Sequence, residues 1–231
     1  MFRSCLFRLL LIPFAVLLLL AGYEAVQVLR ARAATPAALK TVAKRELRLA
    51  DLGVNRRNML LRVEDPGFYR HHGLDFATPG SGWTTITQGL VKHLYFPDGF
   101  NPGFAKIEQS LIAWLVLDPA VTKDEQLEIY LNYAYLGNSG GYQVFGFPAA
   151  ARIYYGRELT RLSDREYLSL VAMLIAPNEY SPRTHPQANA RRVDRIVRLL
   201  RRQCAPTSWR DVVYPDCDVR PSTGPADRAP R

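Results

Sequence analysis

The sequence predicts a mainly α-helical domain carried behind an N-terminal apolar segment, and three observations lead there. Between Thr85 and Gln203 six stretches space their apolar residues three and four apart, as one face of a helix requires. Glycine and proline punctuate the intervals between those stretches. The first residues, MFRSCLFRLLLIPFAVLLLLAG, hold an apolar run from Leu9 to Ala21.

The elements follow in chain order. The apolar run is short for a membrane span, but Arg8 can snorkel toward the headgroups. The segment also borrows Phe2 to Phe7 and Tyr23 to Leu29, which brings it near the roughly 20 residues a bilayer needs. A retained anchor is the expectation, and a cleaved signal peptide fits the same residues. Arg3 and Arg8 favour a cytoplasmic N-terminus, while Arg30 and Arg32 on the far side weigh against it. On either reading the remainder is exported. Residues 1–35 are then anchor and linker, with 24–35 as the juxtamembrane part, and residues 36–204 form the domain. Residues 205–231, rich in proline and charge, read as a poorly ordered tail. Helical spacing runs over Pro36–Ala50, Thr85–Tyr95, Lys106–Leu117, Lys123–Leu136, Pro148–Tyr155, Ser163–Ile175 and Pro186–Gln203. Ser163 with Glu166 three residues on forms a capping-box signature, and Pro177 closes that helix.

Composition excludes a disordered chain, since 48% of 231 residues are hydrophobic, enough for one core. Lys+Arg of 30 against Asp+Glu of 21 gives a net charge of +9, which favours phosphates, nucleic acid or acidic lipid as partners without choosing among them. Cys5 lies in the apolar segment, leaving Cys204 and Cys217 as the cysteines of the exported part. With no histidine near them in sequence, they suit a disulfide better than a metal site in an oxidising compartment.

The chemistry-bearing stretch is VEDPGFYRHHGLD at Val63 to Asp75. Taken alone, Glu64 and Asp65 would be an acidic pair at a helix start, and His71 and His72 surface histidines. They are followed by GWTTITQGLVKHL at Gly82 to Leu94, KDEQLEIYLNYAYLG at Lys123 to Gly137 and GFPAAARIYYG at Gly146 to Gly156. This ordered set, from Leu60 to Arg202, resembles the peptidoglycan glycosyltransferases of family 51, in their single-domain form, the monofunctional biosynthetic transglycosylases. The resemblance implies a lysozyme-like helical domain behind a single-pass transmembrane helix, on the periplasmic side of a bacterial inner membrane, extending glycan strands from lipid II.

The first motif of that family, Glu-Asp-x-x-Phe-x-x-His-x-Gly-x-Asp, is filled by Glu64, Asp65, Phe68, His71, Gly73 and Asp75. The match makes Glu64 the general base that takes the proton of the acceptor hydroxyl as it attacks the donor's anomeric carbon with inversion. A carboxylate ionised at neutral pH suits that role. Asp65 and His71 fall on the substrate side as orienting and shaping residues. The second motif becomes Gly82 to His93, where Thr84, Thr85, Thr87 and Gln88 supply hydroxyls and an amide to the donor, and Lys92 a cation to the leaving pyrophosphate. On the bland reading these are helix caps and surface.

Departures from the family pattern are as informative. Only FATPGS separates Asp75 from Gly82, where the family has a longer segment. The third motif, Arg-Lys-x-x-Glu, reads Ala105, Lys106 and Gln109, with Glu108 next door. Adjacent helical residues point about 100° apart, so Glu108 replaces the lost carboxylate only if the register shifts by one; an extra residue before Asp118 would allow that. The expected site is therefore Glu64 and Glu108 as catalytic carboxylates, with Asp65, His71, Thr84, Thr85, Thr87, Gln88, Lys92, Lys106 and Gln109 on the substrate. Leu127, Tyr130, Leu131 and Asn132 read as packing and backbone support. The basic face of the last helix is either solvated or laid on acidic lipid.

The resemblance requires no cofactor and admits one, a divalent cation (Mg2+ or Mn2+) at the donor pyrophosphate. No protein metal site is expected. Its partners are lipid II, the growing glycan chain and membrane lipid, with other cell-wall synthesis proteins alongside; nucleic acid is not among them. Two other readings share the fold: a degenerate member that binds lipid II or a related polyprenyl-linked saccharide without polymerising it, and a hydrolase using Glu64 as an acid. A hydrolase of finished glycan would need no pyrophosphate residues, which the second motif supplies.

Overall fold

The computed structural model describes residues 2–218, and the side chains of residues 12–218. Its helices are α1 (Phe2–Thr41), α2 (Leu49–Leu52), α3 (Val54–Glu64), α4 (Ile86–Tyr95), α5 (Phe104–Ile112), α6 (Asp118–Ala120), α7 (Lys123–Tyr133), α8 (Phe147–Tyr155), α9 (Asp164–Met173) and α10 (Pro186–Leu200). A π-helical run, Ala113–Leu117, joins α5 to α6, and the hairpin β1 (Tyr135–Ser139) and β2 (Tyr142–Phe145) follows α7. The protein is thus mainly helical, and its described residues divide into two compact units.

The first unit gathers the chain as far as Asp51 with residues 67–75 and 83–134. Its α1 runs unbroken through Pro13 and Pro36, so the expected linker at 24–35 is helix instead. Within Ile12–Thr41 an 18-residue window has a mean hydropathy of 1.9, and the helix is long and apolar enough to cross a membrane. Ile12 to Leu20 expose their apolar side chains, whereas Val28, Ala31 and Thr35 are buried. The change has a physical cause: from there on α1 packs against α4, α5 and the π-helical run. Arg32 donates to the carbonyl of Leu115 (3.2 Å), and Thr35 shares a 2.8 Å hydrogen bond with the Tyr95 hydroxyl.

The core of this unit is built from Ile86, Leu90 and Val91 of α4, Ile112, Ala113, Val116 and Leu117, and Leu127 and Leu131 of α7. Asn132 ties α7 to the chain after α1. Its Oδ1 accepts from the amides of Glu46 and Leu47 at 2.9 Å each, and its Nδ2 donates to the Leu47 carbonyl at 2.8 Å. Arg45 adds ion pairs to Glu125 and Glu128 of the same helix.

The second unit holds residues 52–66, 76–82 and the chain from Tyr135 onward. At its centre lies α9, in which every residue from Tyr167 to Met173 is buried, as expected of a helix covered on all sides. It packs against α3, α8 and α10. The capping box predicted at its start is present: Ser163 Oγ accepts from the Glu166 amide, and the Glu166 carboxylate accepts from the Ser163 amide. The helix ends at Met173, ahead of the expected Ile175.

Other elements depart from the expected ranges. Helix α3 was not foreseen, and Glu64 is its last residue. The helix expected to reach Leu136 stops at Tyr133, because Ala134 takes extended backbone (ψ 134°) and leads into β1. The β1–β2 turn is Gly140–Gly141, with φ of 60° and 84°, the two positive values a tight two-residue hairpin turn demands. Residues 205–218 are packed rather than tail-like: Tyr214 is 1% exposed and Cys217 2% exposed. Residues 219–231 lie outside the described residues.

Replacing Asn132 with Ala should strand two amides and a carbonyl where the chain turns back onto α7. A loss of about 1–3 kcal/mol is expected, the cost of unsatisfied buried groups, read as a fall in the urea midpoint with the slope unchanged.

Candidate active site

The motif residues are divided between the two units. In the second unit, α3 ends at Glu64, and Asp65, which caps it, is fully buried. Arg192 of α10 is 3% exposed, and its charge acts on Glu64. Its guanidinium donates from Nε to the Ala172 carbonyl and from Nη1 to the Val212 carbonyl, both at 3.1 Å, and lies over the rings of Tyr180 and Tyr214. Burial lowers the Arg192 pKa from its ordinary value, opposed by Tyr214, Glu64 and Tyr180. Burial likewise pushes the Tyr214 phenol up.

In the first unit, residues 67–75 form a turn whose end is Gly73, at φ 85°. A Cβ at that position would fall 2.7 Å from the Ala113 carbonyl oxygen, so only glycine lets the turn lie on the π-helical run. His71 shapes the same turn, its Nδ1 accepting from the Gly73 amide at 3.1 Å. The Thr85 hydroxyl donates to the Gly73 carbonyl at 2.7 Å and accepts from the Gln88 amide, and the Gln88 Oε1 accepts from the Thr85 amide at 3.0 Å. That reciprocal pair caps α4.

The second-motif residues therefore divide. Thr85, Thr87 and Gln88 are 2%, 0% and 1% exposed. Thr87 donates to Gln126 Oε1, and the Gln88 amide donates to Ser110 Oγ. These polar groups of the expected substrate residues are engaged within the fold. Thr84 and Lys92 are exposed. Lys106 joins them, donating from Nζ to Thr84 Oγ1 at 2.9 Å. Its pKa is pushed down to about 8 by burial and then by the charge of Lys92. Among the described residues no carboxylate is seen paired with either lysine, and the charge of Lys92 acts on Lys106. Because the folded value lies below the ordinary 10.5, the unfolded chain binds more protons between the two values. The arrangement thus costs the fold stability at neutral pH, and that cost is relieved only as pH rises above about 8.

The third motif is settled in register. Gln109 is the inward residue, 1% exposed, with Nε2 donating to the Gln88 carbonyl at 2.6 Å. Its Oε1 is buried without a hydrogen-bond partner. Glu108 is half-buried and faces Glu24 of α1; burial first and that neighbour second raise its pKa. Glu108 does not take the inward place. Arg192 escaped the sequence reading, which assigned the basic face of α10 to water or lipid. A signal existed: position 192 falls on the buried stripe with Asn189, Val193, Ile196 and Leu199.

The structure defines a mainly helical protein that carries a Glu-Asp pair at the end of α3 and, in its other unit, a lysine hydrogen-bonded to Thr84. The family model described as Transglycosylase matches residues 77–201, and the chain belongs to that family. It is 36% identical over 157 residues to penicillin-binding protein 1B of Buchnera aphidicola subsp. Acyrthosiphon pisum (strain APS), covering 62% of this chain and 20% of that protein. With penicillin-binding protein 1B of Escherichia coli (strain K12) it shares 33% over 157 residues, 62% of this chain and 18% of that one. With penicillin-binding protein 1F of Bacillus subtilis (strain 168) the figures are 31% over 180 residues, 72% and 24%. The chain thus spans about a quarter or less of the length of these relatives.

Thr85→Val keeps shape while removing the hydroxyl that caps α4 and anchors Gly73. It should lower stability by about 1–3 kcal/mol, a lost cap plus a stranded carbonyl, and amide hydrogen exchange should quicken at both Gly73 and the first turn of α4.

Proposed function

We propose that the protein is a peptidoglycan glycosyltransferase that polymerises lipid II into glycan strands. The observation that carries the reading is the Lys92–Lys106 pair, two neighbouring cations with no carboxylate seen paired with either among the described residues, and with Thr84 hydrogen-bonded to one of them. Such a group is stabilised by a multiply charged anion, and a diphosphate linked to a polyprenol supplies one. Glu64 takes the proton from the acceptor sugar hydroxyl. That oxygen bonds to the donor's anomeric carbon as the carbon–oxygen bond to the diphosphate breaks, with inversion. The departing polyprenyl diphosphate leaves its negative charge beside Lys92 and Lys106, and the Thr84 hydroxyl orients it.

Helix α1 would hold the domain at the bacterial inner membrane as a single-pass anchor, with the catalytic part on the periplasmic side, where lipid II is presented. The donor-side groups are cationic and hydroxylic, and no cluster of three His, Cys, Asp or Glu side chains occurs among the described residues. They do not fit a protein-held divalent cation, and no step is routed through one.

One observation favours a second reading, a family member that binds lipid II or a related polyprenyl-linked saccharide without polymerising it. The inward position of the third motif holds an amide, and that amide is engaged by the Gln88 carbonyl. Glu108 enters only if it leaves Glu24 during turnover.

The test is incubation of the purified protein with labelled lipid II and separation of polymer from unreacted lipid. Polymer from wild type and none from Glu64→Gln, with lipid II binding retained, is the expected result. Turnover by Glu64→Gln near the wild-type rate would remove Glu64 as base, and binding without polymer in wild type would establish the second reading. Lipid II affinity should be highest below about pH 8 and weaken above it, following Lys106. Titrations across pH should show that dependence flattened in Lys106→Gln.

A further inference from the structure

The segment marked by composition as a tail is a stapled strap on the second unit. Cys204 and Cys217 are joined, with their Cα atoms 5.4 Å apart across a sequence separation of 13. Within the loop they close, the carbonyls of Ser208 and Trp209 accept from the amides of Gly80 and Gly82 at 3.0 and 2.7 Å. The Trp209 ring meets Phe76 edge-on, and a Cβ on Gly82 would fall 2.9 Å from Val212. The strap thus holds down the segment 76–82, which is short in this chain. It also reaches the end of α3. The Tyr214 hydroxyl donates to the Val63 carbonyl at 2.7 Å, and Val63 immediately precedes Glu64. On its other side the strap is gripped by α10: Arg192 donates to the Val212 carbonyl, Arg195 makes a bidentate pair with Asp218, and Arg198 donates to the Cys217 carbonyl.

We propose that residues 204–218 form a redox-dependent clasp that positions Glu64, Tyr214 fixing the backbone before it and Val212 holding Arg192 beside it, so that the base is fully set only when the disulfide is closed. The proposal rests on the reading of Glu64 as the base. Its physical basis is that Arg192 is buried and fixed by two carbonyls, one accepting from Nε and one from Nη1, so its charge is little screened and favours the ionised carboxylate a base requires. The other charged or titratable groups around this corner are Arg62 of α3, Arg195 of α10, Tyr180 after α9, and Asp211 and Tyr214 of the clasp. Closing the loop removes most of the open states the free segment would otherwise populate. A dithiol reductant opens the clasp by supplying two electrons and two protons; it becomes a disulfide while Cys204 and Cys217 become thiols. A chain still in a reducing compartment would then carry an unset base, and export would complete the site.

The experiment uses the full-length protein in detergent, oxidised, dithiol-treated, and as Cys204→Ser/Cys217→Ser, Tyr214→Phe, Arg192→Lys and Arg192→Gln. Expected on reduction is a fall in kcat on lipid II at near-constant KM, with the acid limb of the pH–rate profile moved to higher pH. Tyr214→Phe keeps the ring and should lower kcat roughly 2- to 10-fold, the worth of one hydrogen bond. Arg192→Gln should move the acid limb, and Arg192→Lys should restore part of the shift. A merely structural strap would lower the melting temperature while leaving the limb in place, and that outcome overturns the proposal. Turnover by Glu64→Gln would instead sink the base assignment. If wild type makes no polymer, the Glu64 carboxyl titration followed by carbon-13 NMR decides alone. A titration that does not change on reduction, in Tyr214→Phe or in Arg192→Gln overturns the clasp.

Discussion

The first unit depends on one hydroxyl. Thr85 Oγ1 donates to the Gly73 carbonyl and accepts from the Gln88 amide, so the turn that ends the first motif and the helix that carries the second are set by the same atom. From Gln88 the chain of bonds continues: its side-chain amide donates to Ser110 Oγ, Ser110 Oγ donates to the Lys106 carbonyl, and its own carbonyl accepts from Gln109. Three sequence motifs are thereby one hydrogen-bonded body. The consequence is that conspicuous polar residues of the second motif are interior, while Thr84 and Lys92 are exposed and Lys106 is half-buried. Buried polar networks of this kind fix a unique geometry because each unsatisfied member would be costly.

What the sequence made legible follows from how local the cause is. The capping box at Ser163 and Glu166 and the cap at Thr85 need only four residues, and both could be read directly. Helix α3 could not: VNRRNMLLRVE interleaves arginines with apolar residues, and its amphipathic signal is weak although Leu60, Leu61 and Val63 are buried. The hairpin was signalled by Gly140–Gly141 but overrun by the apolar spacing of YLNYAYL. The linker reading of 24–35 failed because burial of Val28, Ala31 and Thr35 depends on partners distant in sequence. The Cys204–Cys217 bridge was expected and is present, but the tail reading failed because composition cannot register a tyrosine buried against α3 and α10.

The site was legible in type more than in role. Glu64, Lys106 and Thr84 were marked by motif, and Lys106 and Thr84 do meet. The choice between Glu108 and Gln109 was not decidable from spacing, because an extra residue can shift a register or be absorbed. The chain between α5 and α6 is π-helical, a form that takes up more residues per turn than an α-helix. Upstream of it Lys106 lies on Thr84 and Gln109 lies inward, so an amide and not the Glu108 carboxylate holds the inward place.

That substitution and the lysine pair pull in one direction. A glutamate at position 109 would bring a negative charge onto the Gln88 carbonyl unless it were protonated, whereas the amide donates to that carbonyl and leaves Oε1 without a partner. Removing the carboxylate also takes away a counter-charge that could have eased the burial of Lys106, whose ammonium is already disfavoured at about pH 8. On the reading proposed above, a corner with an amide at this place is more electropositive than one with a carboxylate, and a diphosphate arriving there would relieve more of that penalty. Whether the balance leaves a slow polymerase or a lipid-linked saccharide binder turns on how well Glu64 is held, which is why its backbone anchor at Val63 and the buried charge of Arg192 matter as much as the carboxylate itself.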